Sequence, residues 1–187
     1  EMAEEFTGWV RGVLEVGLTD PKVRLESRLK ILKFFQTQLD DRKKNPREND
    51  LITDLLNSGD KYPVTDQYVL GVCNLMLVAG IDTTWSAIGS GLWHFAQHND
   101  EVQRLVAVPN DDPLWNTANE EVLRYYAPVT MARKVINDVE IAGCPMRAGE
   151  QTLVTFPAAN HDPAAFEDAH IFQLDRQDNR HVAFGVG

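Results

Sequence analysis

An acid and two hydroxyl residues stand in the middle of a long apolar stretch, where groups able to move protons are unexpected. Asp82 is followed directly by Thr83 and Thr84. Gly80 lies two residues before the acid. Glycine and β-branched hydroxyl residues are poor choices for a helix interior. A local rule broken at the centre of a consistent element often marks a functional site, although a core helix with one satisfied polar pair is the structural alternative.

Two further groups of residues could form ion pairs or bind an anion. Glu121 and Arg124 lie three residues apart, so a helix would place both side chains on one face. In isolation such a pair is commonly a weak surface contact. Arg133, read alone, is a solvated arginine. A basic cluster in this acidic chain, which could meet an anion, comprises Arg176, Arg180 and His181.

His94 and His98 have the i, i+4 spacing of a zinc-binding pair. No glutamate accompanies them in the arrangement H-E-x-x-H that would make the spacing specific. A histidine is also favourable near the C-terminus of a helix for electrostatic reasons. We therefore expect no metal site at this pair.

The composition limits the class of protein. The chain has 187 residues, of which 43% are hydrophobic and 25% charged, as in one ordinary globular domain or part of a larger one. A net charge of −10 argues against a nucleic-acid partner. The longest apolar run, residues 69–81, is too short to span a bilayer, and no signal peptide is recognisable. Cys73 and Cys144 are typical of reduced thiols in a cytoplasmic protein.

The elements that must position these residues are mainly helical. Apolar residues recur at spacings of three and four, and the predicted helices cover residues 2–16, 23–42, 51–57, 66–98, 101–108 and 114–126. The helix over residues 66–98 is apolar on nearly every side, so we expect it to be buried in the middle of a large domain. The core-facing stripe predicted for the helix over residues 23–42 comprises Leu25, Leu29, Leu32, Phe35 and Leu39, widened by Ile31 and Phe34.

From Ala132 the apolar period changes to two, which predicts small β-hairpin structure. The turns are expected at Gly143-Cys144-Pro145 and at Gly149. The chain from Ala158 onward is expected to be irregular.

These motifs, in their order along the chain, resemble the cytochrome P-450 family of haem-thiolate monooxygenases, specifically the soluble bacterial kind. The order is Ala79-Gly80-x-Asp82-Thr83-Thr84, Glu121-x-x-Arg124, Pro128-Val129, Arg133, Ala159-Asn160-His161-Asp162-Pro163, Phe172-x-x-x-Arg176 and His181-x-x-Phe184-Gly185-x-Gly187. A lone Glu-x-x-Arg has no specificity, whereas the whole series in family order is specific. The resemblance implies a mainly α fold with a small β-hairpin region, that is, a partial cytochrome P-450 fold built around the long central helix.

The resemblance also implies that residues 1–187 form a single partial domain. The family continues the motif at Gly187 with the cysteine that is the axial haem ligand, and this sequence ends before that position. Neither Cys73 nor Cys144 matches it. We therefore expect a fragment that lacks the N-terminal half of the domain and the cysteine loop, holds no metal ligand, and is inactive alone.

For the complete protein, the resemblance implies haem b (iron protoporphyrin IX) as cofactor and insertion of one oxygen atom of O2 into an organic substrate. Electrons would come from a ferredoxin and its reductase or from a fused reductase domain. Asp82 would relay protons and Thr83 would hydrogen-bond dioxygen, which makes both catalytic. Residues implied to contact the haem are Ala79, Gly80, Arg133 and His181, the last two through the propionates.

Two further sets of residues take roles from the resemblance. Glu121, Arg124 and Arg176 would form a buried ion network that supports the haem-side loop. The substrate pocket would be lined by Leu75, Val78, Val129 and Thr130, which implies a small, mostly apolar substrate. No nucleic acid and no membrane are expected as partners.

Two alternatives remain open at this point. An enzyme of the same family could use peroxide or rearrange its substrate, but such sequences often lack the acid–alcohol pair that Asp82 and Thr83 form. The other alternative is a haem-free helical binding module, which a Soret band in the full-length protein would exclude.

Overall fold

The computed structural model describes residues 2–59 and 64–185. The chain forms two compact units, residues 1–84 and 85–187. It is mainly helical with two small antiparallel sheets, which confirms the predicted fold class. The expectation that residues 1–187 belong to a single partial domain stays a prediction, and Gly187 lies outside the described residues.

Seven α-helices and four strands make up the described chain. The helices are α1 Met2–Leu14, α2 Pro21–Lys44, α3 Leu51–Asn57, α4 Asp66–Gln97, α5 Asn99–Val106, α6 Pro113–Tyr126 and α7 Phe156–Asn160, with a 3-10 turn at Val16–Leu18. The strands are β1 Thr130–Lys134, β2 Val139–Ile141, β3 Cys144–Met146 and β4 Gln151–Thr155. β1 pairs with β4, and β2 pairs with β3.

Aspartates that precede three helices supply the caps that start them. The side chain of Asp20 accepts from the backbone of Lys22 and Val23, and a proline follows it in the first turn. The side chains of Asp50 and Asp112 likewise accept from backbone N–H groups at the starts of α3 and α6, and α6 also begins with a proline. Such caps satisfy backbone N–H groups that have no partner within the helix.

Three local predictions differ from the structure. α5 begins at Asn99 with His98 as its N-cap, so the acid at position 100 lies inside the first turn, where it complements the helix dipole. Cys144 and Pro145 belong to β3, because the turn is formed by Ala142 and Gly143, whose φ angles are +49° and +80°. The sequence predicts irregular chain from Ala158 onward, whereas residues 158–160 belong to the short helix α7. A proline in the first turn of α7 favours the start of a helix there.

In the unit of residues 1–84, α2 buries only part of the apolar stripe expected for it. Leu25, Leu29 and Leu32 are exposed, whereas Ile31 and Leu39 are completely buried. The neighbours of α2 decide this: α1 packs beside Ser27, and a cluster of Leu39, Ile52, Val69 and Cys73 joins α2, α3 and α4. The buried residues are therefore only a part of the predicted stripe, and its leucines at positions 25, 29 and 32 stay exposed.

The prediction that α4 is buried on all sides is also wrong for the described chain. Only 11% of its most apolar 18-residue window is buried, and Leu75, Met76 and Trp85 are exposed. The described residues cover only the side that carries Val69 and Cys73 in one unit and Gly91 and His94 in the other. By length and composition α4 could cross a membrane, but the core helix of a soluble protein meets the same criterion.

The unit of residues 85–187 has its own small core. Leu105 of α5, Ala118 of α6 and Leu174 form a buried cluster, against which Phe95 and Phe172 pack. This cluster fixes α6 against the irregular chain that follows α7.

Gly12 is the point of close approach between α1 and α2, so its replacement by alanine tests this packing. An added Cβ would overlap Ser27 Oγ and lie 3.0 Å from Ser27 Cβ. We expect Gly12→Ala to lower the free energy of unfolding by about 1–3 kcal/mol in chemical denaturation. Gly8→Ala on the same helix is the control: a Cβ there meets no described atom within 4 Å, and it should stabilise by about 0.5–1 kcal/mol. Equal effects of the two changes would contradict the close packing.

The two cysteines should react differently with iodoacetamide in the native protein. Burial raises the pKa of the Cys73 thiol, with a further contribution from the charge of Asp50, so the reactive thiolate is scarce at neutral pH. Cys144 is exposed. Peptide mapping should find Cys144 modified and Cys73 unmodified, and both modified after unfolding. Rapid native labelling of Cys73 would contradict this.

Candidate functional site

The centre of α4 carries an open glycine, an acid and a hydroxyl within residues 80–83. The hydroxyl of Thr83 donates to the backbone carbonyl of Ala79 at 2.6 Å. Asp82 is half-buried and its carboxylate accepts no hydrogen bond from the described part of the chain. A Cβ added to Gly80 would meet no described atom within 4 Å beyond its own helix.

Both polar side chains at the centre of α4 can still form further hydrogen bonds, which proton transfer would require. The single hydrogen of the Thr83 hydroxyl is held by a helix carbonyl, but its oxygen can still accept a hydrogen bond. The Asp82 carboxylate has its full acceptor capacity available. The hydroxyl could donate outside the helix only by releasing the carbonyl of Ala79.

The residues predicted for a substrate pocket fall into two groups. Leu75 is exposed and Val78 is half-buried, and both precede Gly80 on α4. Val129 is half-buried, and Thr130 begins β1, where it pairs with Thr155 of β4. The first group belongs to the unit of residues 1–84 and the second to the unit of residues 85–187.

Glu121 and Arg124 on α6 are both completely buried and paired. Nε of Arg124 donates to Glu121 Oε2 at 2.8 Å, and Nη2 donates to Oε1 at 2.8 Å. Nε of Arg176 donates to the same carboxylate at 3.0 Å. The structure therefore brings together all three residues that the sequence analysis assigned to an ion network.

The remaining donors of the two arginines bind backbone carbonyls. Arg124 donates to the carbonyls of Asn160, Ala169 and Ile171. Arg176 donates to those of Glu167, Asp168 and Ile171. Two cations thus share one buried anion, and carbonyl dipoles compensate the excess positive charge.

Within the described ranges, no hydrogen bond joins Arg133 to His181. Arg133 is exposed on β1, and its Nη1 donates to the carbonyl of Ala132 at 3.0 Å. His181 lies on the irregular chain after α7, where its Nε2 is 2.9 Å from Glu120 Oε2. Its Nδ1 accepts from the backbone N–H of Ala183. Because a carboxylate can only accept, Nε2 carries the proton that points at Glu120.

His94 is a buried polar residue whose structural role the sequence did not reveal. Its Nε2 is 2.7 Å from a carboxylate oxygen of Glu101, and its Nδ1 is 2.8 Å from the hydroxyl of Tyr126. Its ring stacks on Phe172 at 3.8 Å and on His98 at 4.2 Å. Burial raises the pKa of the Tyr126 phenol, which stays a neutral donor.

Both nitrogens of His94 are therefore engaged, as in a satisfied core histidine. Across residues 2–59 and 64–185, no three His, Cys, Asp or Glu side chains are grouped as a metal site would require. Tyr126 is 32 residues away on α6, and Glu101 lies beyond the break between α4 and α5, so the spacing within one helix did not indicate either partner.

Arg124→Ala tests the buried ion network. We expect it to reduce the free energy of unfolding by about 3–5 kcal/mol, because Glu121 is left as an undercompensated buried charge. Arg104→Ala is the control, since Arg104 pairs with Asp175 at the surface, with side chains 51% and 61% exposed. Its expected cost is about 0–1 kcal/mol. Similar costs in urea denaturation would mean that the buried pair contributes no more than a surface bridge.

Comparison with known proteins identifies the family. The family model for cytochrome P450 matches residues 110–187. A biotin biosynthesis cytochrome P450 of Bacillus subtilis is 34% identical over 155 residues, which are 82% of this chain and 38% of that relative. The chain spans less than half the length of the curated relatives it matches, such as this one and the polyketide biosynthesis cytochrome P450 PksS.

Solved structures agree with this result. Cytochrome P450 PksS of the Bacillus subtilis bacillaene polyketide synthase superposes with a TM-score of 0.88 at 28% identity, covering 98% of this chain and 47% of that one. CYP109E1 from Bacillus megaterium, solved in complex with testosterone, superposes with a TM-score of 0.83 at 28% identity, covering 98% and 50%. These likenesses confirm the predicted partial fold. The chain belongs to the cytochrome P450 family, as a partial-length member with bacterial relatives.

Proposed function

We propose that this chain is part of a haem-thiolate monooxygenase that inserts one oxygen atom of O2 into a small, mostly apolar organic substrate. The observation that carries the proposal is the centre of α4, where residues 80–83 include an open glycine, an acid with no hydrogen-bond partner among the described residues, and a threonine hydroxyl. Membership of the family supports haem-dependent oxidation in general. Haem b is the proposed cofactor.

The residues of this chain are compatible with haem. Gly80 leaves open space that a side chain at this position would fill. The guanidinium of Arg133 is exposed and, within the described ranges, bound only to a neighbouring carbonyl, so it could pair with a propionate. The Nε2–H of His181 is already aimed at a carboxylate, that of Glu120, and a propionate would share or replace this acceptor.

When bound, haem with a cysteine thiolate supplies the oxygen-activating chemistry, since the thiolate favours O–O cleavage. Thr83 would turn its hydroxyl from the carbonyl of Ala79 to donate toward the open face. Asp82 would return a proton to this hydroxyl through water. The apolar side chains of Leu75 and Val78 would limit the access of bulk water, which directs proton transfer to this pair.

The proposed substrate class follows from the lining. Leu75, Val78 and Val129 offer apolar contacts, and Thr130 offers one hydroxyl. The testosterone complex of CYP109E1 supports a mostly apolar substrate for this chain as well. Ala79, directly before Gly80, would contact the cofactor.

A reductase system and a cytoplasmic location complete the proposal. Electrons would come from a ferredoxin and its reductase or from a fused reductase domain. The thiols of Cys73 and Cys144 are free, as in reduced intracellular proteins, which supports a cytoplasmic location.

Thr83→Val in the full-length protein tests the proposed proton delivery. It keeps the β-branched shape but removes the hydroxyl, so reducing equivalents should produce hydrogen peroxide instead of product. The step that the hydroxyl serves should slow by about 10²–10⁴-fold. The measurement is product and peroxide formed per NAD(P)H consumed.

Two further variants sharpen this test. Thr83→Ser retains the hydroxyl and should restore most of the coupling. Thr84→Val is the neighbour control on an exposed position and should behave as wild type. Unchanged coupling in Thr83→Val would reject the role of this hydroxyl. Full product formation with peroxide alone, and none with O2 and a reductase, would instead favour a peroxygenase.

A further inference from the structure

Asn160, at the end of α7, has a completely buried amide that joins two distant parts of the chain. Its Nδ2 donates to the backbone carbonyl of Arg124 at 3.1 Å, and its Oδ1 accepts from the backbone N–H of Val182 at 2.8 Å. Its own carbonyl accepts from Nη1 of Arg124 at 2.7 Å. One side chain therefore ties the last turn of α6 to the segment that carries His181.

Among the side-chain contacts that hold residues 179–183, the one from Asn160 is the most firmly placed. His181 depends on Glu120, whose side chain is 56% exposed and free to move into solvent. Asn179 donates to the ion network over 3.2 Å, and its Oδ1 has no partner in the described chain. The amide of Asn160 is buried and hydrogen-bonded at both ends, so it has one orientation.

We propose that Asn160 is a positioning residue for haem binding. Its side chain holds Val182, and through it the neighbouring His181, in a fixed position relative to α6. This inference rests on the proposed haem-thiolate function. An amide satisfies both ends, because one end donates to a carbonyl and the other accepts from an N–H, and it is the acceptor end that holds the segment of His181. A carboxylate would keep the acceptor and lose the donor, and an aliphatic side chain would lose both.

The test uses the full-length protein and the rate at which it releases haem to apomyoglobin. Asn160→Leu should release haem about tenfold faster than wild type, because the N–H of Val182 loses its acceptor. Asn160→Asp keeps that acceptor, so its release rate should stay within about threefold of wild type although its thermal midpoint falls. If Asn160→Leu does not accumulate, Asn160→Ser replaces it, since the shorter hydroxyl cannot reach Val182.

Gly12→Ala is the stability control, because it destabilises the contact between α1 and α2 and should leave haem release unchanged. Equal release by Asn160→Leu and Gly12→Ala, or by Asn160→Leu and Asn160→Asp, would overturn the positioning role. Wild-type protein without the carbon-monoxide difference band typical of thiolate haem would overturn the proposed function, and this inference with it. A normal wild-type band combined with equal release among the variants rejects the role of Asn160 alone.

Discussion

One buried carboxylate, that of Glu121, is the interaction on which the irregular C-terminal part of the described chain depends. Residues 161–185 contain no helix or strand, so their carbonyls lack the partners that regular ladders supply. The guanidinium groups of Arg124 and Arg176 serve as those partners, and both also bind Glu121. Burying either cation without an anion would be costly. Glu121 therefore permits two arginines to replace secondary structure in organising this segment.

Two hydrogen-bond donors proposed to act on cofactor or substrate are held by acceptors of the chain itself. The hydroxyl of Thr83 is bound to the carbonyl of Ala79, and the Nε2–H of His181 is bound to Glu120. Each donor is thereby oriented and its hydrogen-bonding capacity satisfied. Each donor can also leave its acceptor for a ligand. The helix carbonyl of Ala79 would still accept its backbone hydrogen bond, and the exposed carboxylate of Glu120 would be hydrated by water. Oriented but exchangeable donors suit groups that must form new contacts when a ligand binds.

The sequence by itself determined the features that depend on neighbours along the chain. Aspartate caps such as Asp112 set where helices begin, because the unpaired N–H groups lie within three residues of the cap. The spacing of Glu121 and Arg124 placed both on one face of α6. The ordered series of motifs was sufficient to identify the family and its mainly helical fold. No single motif would have done so, because each of them occurs by chance in unrelated proteins.

Only the tertiary structure decided which faces are covered and which distant residues meet. Within the apolar stripe expected for α2, Ile31 and Leu39 are buried while Leu25 is exposed, since α1 and α3 pack on only part of it. The partners of His94 and the two bonds of Asn160 come from separate elements. A periodic pattern predicts that a helix has an apolar side. It does not predict which of the adjacent rows of apolar residues is buried, because that depends on where the neighbouring helices pack. Long-range hydrogen bonds leave no periodic trace in the sequence, because their partners are set by the path of the folded chain.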